Sequence, residues 1–158
     1  MKLQKNTQLA LYSVLEFAAR PHEHVPASEV AENYGASVHH LAKVLSELAR
    51  AGIVEAVRGV GGGYRFAANP RRLTLLDVIE LFEDPSGDTA RSGPGAGATE
   101  RALAEVWDEI DQITRATLGS ITVATLLRRV ERAGEGAAGA QAGRAGREAV
   151  APAARKSA

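Results

Sequence analysis

Apolar residues recur at helical spacing through most of this chain and give way to strand-like runs in one place. Leu11, Tyr12, Leu15, Ala18 and Ala19 trace one face of a first helix, which Pro21 stops. Pro26 suits the first position of a short second helix carrying Val30 and Ala31 and ending near Gly35. Ser37 can cap a third helix, and Gly52 fits its C-terminal end. In that helix Leu41, Val44, Leu45 and Leu48 fall at i, i+3, i+4 and i+7 and form a single apolar stripe. Residues 53–58 and 64–67 are short β-prone runs joined by Gly59-Val60-Gly61-Gly62-Gly63, which predicts a hairpin. Thr74 to Asp77 resembles a capping box and opens a helix that ends before Pro85. A long helix is expected from Thr99 to about Thr117. A last one opens at Thr122 and runs to about Arg132.

Residues 26–51 have the shape of a helix-turn-helix, with a tight turn at Gly35-Ala36-Ser37. Opposite the stripe of the longer helix lie His39, Lys43, Ser46 and Arg50, with His40 on the flank and Ser37 at the N-terminus. All can donate hydrogen bonds, as a helix in a DNA major groove requires. An amphipathic surface helix with a solvated polar face would show the same pattern. The hairpin that follows favours DNA, because a helix-turn-helix with a hairpin behind it makes a winged helix. Arg58 stands at the lip of the glycines, where it can enter a narrow minor groove. Arg65 is on the return strand, and Arg71 and Arg72 lie beyond. The fold class expected is therefore mainly α with a small β-hairpin wing, a winged helix-turn-helix domain followed by a long helix.

That long helix carries Leu103, Val106, Ile110, Ile113 and Thr117 at spacings of 3, 4, 3 and 4, a short heptad seam suited to packing between subunits. Its other side is acidic, with Glu100, Glu105, Asp108, Glu109 and Asp111, and Trp107 is expected to pack at the base of the helix. An intramolecular core helix is the competing explanation. The expected organisation is a DNA-binding domain over 1–83, a flexible loop over 84–98, and a dimerisation helix with a final short helix over 99–132. From Ala133 onward the chain has eleven Ala and five Gly and no Leu, Ile, Phe, Tyr or Trp, which reads as a disordered tail over 133–158.

Charge sharpens this division. The net charge is zero, yet residues 1–72 carry nine Lys+Arg against six Asp+Glu, and residues 73–132 carry six against eleven. Only the first half suits a polyanion. The chain has no cysteine, which removes disulfides, thiolate catalysis and cysteine metal sites. No secretory pattern or membrane-spanning apolar run occurs, so a cytoplasmic location without membrane contact is expected. His22-Glu23-His24 lacks a third metal ligand and reads as exposed loop. No catalytic constellation suggests an enzyme.

The stretch Ala31 to Val54, followed by Val57-Arg58-Gly59-x-Gly61-Gly62-Gly63-Tyr64, resembles the IscR/NsrR-type winged helix-turn-helix regulators of the bacterial Rrf family. The opening Met1 to Leu11, the segment Leu75 to Ile79 and the segment Ser120 to Leu126 share the likeness, which covers roughly residues 1–130. The resemblance implies a homodimeric transcription regulator, usually a repressor, bound to a palindromic double-stranded operator. It implies contacts from Ser37, His39, His40 and Lys43 in the major groove and from Arg58 in the minor groove, with Gly61 and Gly62 shaping the wing. Many such regulators hold an iron–sulfur cluster through three cysteines in the loop before the long helix. Here Ala90, Ala96 and Ala98 lie roughly at those places, Gln8 stands in the fourth-ligand region and Arg101 near the expected histidine. No cofactor is therefore expected, and any effector would be another small ligand or a partner protein. A winged-helix adaptor that responds to such a partner without reading DNA is the alternative.

Overall fold

A computed structural model describes residues 3–83 and 97–148, with side chains as far as Glu135. In chain order it contains α1 (Lys5–Ala19), α2 (Ala27–Asn33), α3 (Val38–Arg50), β1 (Val54–Val57), β2 (Gly63–Phe66), α4 (Leu75–Ile79), α5 (Ala98–Ser120) and α6 (Val123–Glu148). The two strands pair antiparallel and form the only sheet among the described residues.

The core gathers Val14, Phe17, Val25, Val30, Leu41, Leu45, Leu48, Val78 and Val123, all nearly inaccessible. It thus joins α1, α2, α3, α4 and the start of α6 around one centre. The buried face of α1 differs from the one the apolar pattern suggested. It runs through Thr7, Ala10, Ser13, Val14, Phe17 and Ala18, whereas Tyr12 and Ala19 are exposed. α1 packs on α3, α4, α6 and β2 at once, and small residues at Ala10 and Ser13 permit that close approach. The Ser13 hydroxyl is satisfied locally by donating to the Leu9 carbonyl at 2.7 Å.

α4 begins with the expected capping box. The Thr74 hydroxyl accepts from the Asp77 backbone N–H at 3.2 Å, and the Asp77 carboxylate accepts from the Thr74 N–H at 2.8 Å. The same turn is stitched to the start of α6. Leu75 N donates to Ile121 O and Val123 N to Leu73 O, each at 2.9 Å.

α5 leaves the body, and none of its residues is buried. It is held near its C-terminal end by Arg115, which pairs with Glu80 beyond α4 and with Asp111 on its own helix. Trp107, expected to pack at the base of this helix, is 46% exposed instead. It lies mid-helix, where no other described element covers it.

The last helix also differs from expectation. The sequence reading ends it near Arg132 and leaves a disordered tail, but α6 continues to Glu148. Alanine has the strongest helix propensity, and the next proline is Pro152, so the turns already started by the docked Val123 propagate through the alanines. The expected loop over 84–98 falls outside the described residues apart from Gly97 and Ala98, and Ala98 is the first residue of α5. Among the described residues no helix is long and apolar enough to cross a membrane.

Candidate nucleic-acid interface

α3 is positioned by its two ends and its apolar back. At the N-terminus the Ser37 hydroxyl accepts from His40 N at 3.1 Å, and the Ser37 carbonyl accepts from Leu41 N at 2.9 Å. Leu41, Val44, Leu45 and Leu48 are buried against α1, α2 and β1. His39, Lys43, Ser46 and Arg50 are all exposed on the opposite side, as the periodicity requires.

The polar residues of this region divide into free and engaged groups. His40 is half-buried, and its Nε2 lies 2.6 Å from Asn6 Oδ1 at the start of α1. Arg50 pairs with Glu47 one turn back at 3.0 Å. Arg65 pairs with Glu55, directly opposite it in the hairpin register. Lys43 on α3 and Arg58 on the hairpin have no ion-pair partner among the described residues, and neither do Lys5, Arg71 and Arg72.

The hairpin is fixed to the body from both sides. Val25 and Tyr64 exchange backbone hydrogen bonds at 2.9 Å in each direction, adding a bridge outside β1. Val54 and Phe66, paired across the strands, are both buried. The turn closes through Gly62 N donating to Gly59 O at 3.0 Å. Gly61 takes φ +74°, a region that favours glycine. A Cβ on Gly62 would fall 2.3 Å from the Val57 carbonyl oxygen, so no side chain fits there. Arg58 is exposed at the edge of this tight turn.

Sequence reading missed the contribution of α1. A cleft of about 600 Å³ runs along α3, lined by Asn6, Ser37, His39, His40, Lys43 and Phe82. A neighbouring cleft of about 340 Å³ adds Lys5, Tyr12 and Tyr34 and shares Ser37 and His40. The only hint in the sequence is the polar opening Lys5-Asn6-Thr7-Gln8. Behind the second cleft Tyr12 and Tyr34 stack with ring centres 4.8 Å apart, and the Tyr34 hydroxyl donates to Glu16 at 3.0 Å. Burial and that carboxylate push the Tyr34 phenol up to about 12. Arg20 bridges Glu16 at 2.6 Å and Glu29 at 2.7 Å, and the bond to Glu29 holds its pKa above the ordinary value. This network locks α2 against α1 and so sets the platform from which α3 projects.

Residues 3–129 match the profile of the Rrf2 family, described as an iron-dependent transcriptional regulator. The chain belongs to the Rrf2 family. Over 123 residues it is 50% identical to a protein of Rhodopseudomonas palustris named as the HTH-type transcriptional regulator BadM, covering 78% of this chain and 79% of that one. Among solved structures it resembles IscR of T. potens with a TM-score of 0.71 and 26% identity, over 84% of this chain and 90% of that chain. It also resembles CymR of B. subtilis, described as the global cysteine regulator, with a TM-score of 0.68 and 26% identity, over 82% and 98% of the two chains. As an Rrf2 protein it is a DNA-binding transcriptional regulator and not an enzyme.

Ligation of iron through cysteine thiolates does not fit these residues. The chain has no thiolate to offer. Gln8 donates its side-chain amide to the Leu3 carbonyl at 2.9 Å, and Arg101 is an exposed cation near the start of α5. Ala98 opens that helix, while Ala90 and Ala96 lie outside the described residues. His22 and His24 are exposed, and among the described residues no three His, Cys, Asp or Glu side chains group as metal ligands.

Proposed function

We propose that two copies of this chain join through α5 and repress transcription from a two-fold-symmetric operator in the cytoplasm. The observation that carries this reading is the bare apolar stripe of α5. Leu103, Val106, Ile110 and Ile113 are 54%, 51%, 46% and 59% exposed within one chain, although they repeat every three and four residues. A continuous apolar seam of that period is what a second helix covers. Thr117 ends the seam, and its hydroxyl already donates to the Ile113 carbonyl at 2.8 Å, so it brings no unsatisfied donor into a contact.

In each half-site α3 lies in the major groove with His39 and Lys43 toward base edges, and Arg58 enters the adjacent minor groove. Gly61 and Gly62 give the wing its shape. Ser37 and His40 hold the N-terminal turn of α3 and touch the backbone. Arg50 and Arg65 reach phosphates only by exchanging a carboxylate partner, so they contribute less than their charge suggests. Lacking cysteine, the chain holds no cluster, and its signal is a small effector or a partner protein.

Selection from random double-stranded DNA, followed by gel shift, tests the reading. A palindrome with half-sites about one helical turn or more apart is expected. Enrichment of a lone, unrepeated half-site would count against the dimeric operator, and no enrichment would count against specific reading.

A further inference from the structure

We infer that Val60 is a second reader in the wing, placing its methyl groups against the apolar sugar walls of the minor groove beside Arg58. The inference rests on the proposed wing reading of DNA. Val60 is fully exposed at the tip of the hairpin. The other large exposed apolar side chains among the described residues lie on helices or near their ends, half of them on α5. A β-branched residue is also a poor choice for a tight turn, where glycine, asparagine, aspartate and serine prevail.

The turn leaves this side chain uncovered. The bond from Gly62 N to Gly59 O closes the turn, and the space at Gly62 admits no Cβ. Val60 is therefore held outward, two residues from the unpaired Arg58. A minor groove is about 6 Å wide, so a guanidinium that enters it brings Val60 to the deoxyribose carbons at its wall. Apolar side chains recur in minor-groove readers, where they sense groove width and step deformability. The pair would combine charge attraction from Arg58 with an apolar fit from Val60.

Fluorescence anisotropy on the selected operator, over a range of salt concentrations, tests this with full-length Val60→Thr, Val60→Ile and Arg58→Ala proteins. Val60→Thr keeps the branched shape and exchanges one methyl for a hydroxyl. Its affinity should fall about three- to tenfold, the scale of one lost apolar contact, with an unchanged salt slope because no phosphate contact is lost. Val60→Ile should bind at least as well as the parent. Arg58→Ala should weaken binding and flatten the slope. If Arg58→Ala weakens binding while Val60→Thr equals the parent, the Val60 proposal is overturned and the wing reading stands. A flattened slope for Val60→Thr, or a marked loss for Val60→Ile, also overturns it. If neither Arg58→Ala nor Val60→Thr changes binding, the wing does not read DNA and both proposals fall together.

Discussion

His40 Nε2 and Asn6 Oδ1 meet at 2.6 Å, joining the first turn of α3 to the first turn of α1 across 34 residues of sequence. The bond sits at the lip of the cleft that runs along α3. It gives one of the two adjacent histidines a structural partner and leaves His39 exposed. In Asn6→Ala protein the ring loses that partner. Because the pair is near solvent, the global stability should fall by no more than about 1 kcal/mol in denaturant titration. Operator affinity should fall more than non-specific affinity, since the angle of α3 is loosened. Equal losses on both DNAs would show that Asn6 does not position the helix.

Ile110→Glu should separate the subunits. The side chain lies mid-stripe on α5 and is 46% exposed in one chain, so the substitution leaves the fold of the single chain intact. In a dimer it places a carboxylate in an apolar contact, at a cost of several kcal/mol unless it is neutralised. Sedimentation velocity should show monomers with the circular dichroism of the parent. A dimer of unchanged affinity would remove α5 from the interface.

Gly62→Ala should damage the wing selectively. The added Cβ would stand 2.3 Å from the Val57 carbonyl oxygen, a backbone atom that can yield only by reshaping the turn. Strain of this kind typically costs about 1–3 kcal/mol, borne by the hairpin. Hydrogen exchange should quicken at Val57 and Gly63 while the amides of α1 and α3 stay protected. Operator binding should weaken although the fold survives. An unchanged hairpin would mean the turn is softer than its geometry implies.

Tyr34 should mark an alkaline transition. Its folded-state phenol is raised to about 12, above an ordinary value of about 10. The raised value means that its contribution to stability is complete below pH 10 and disappears as pH climbs from about 10 toward 12. In ultraviolet titration one phenol should ionise near pH 12 in the parent and be missing from Tyr34→Phe. Glu16→Gln should lower that midpoint, because the carboxylate opposes phenolate formation, yet keep it above 10, because burial remains. A midpoint unmoved by Glu16→Gln would show that burial alone sets the shift.

Much of this architecture is legible in local sequence. The stripe Leu41, Val44, Leu45 and Leu48 determines which side of α3 faces inward, because spacing on a helix dictates direction. The Thr74–Asp77 capping box and the glycine-rich hairpin turn are likewise written within three to five consecutive residues. The missing cysteines exclude thiolate ligation whatever the fold. Tertiary structure decided the rest. The buried face of α1 depends on its being enclosed by α3, α4, α6 and β2 together, so Thr7 and Ser13 lie inside while Tyr12 faces the cleft. The pairing of His40 with Asn6 and of Arg115 with Glu80 follows from packing between elements 34 and 35 residues apart. The first of these pairings engages His40, which the sequence had placed on the flank of the polar face of α3. Periodicity reaches about one helical turn along the chain, whereas the angle at which two helices dock is set by all the side chains between them.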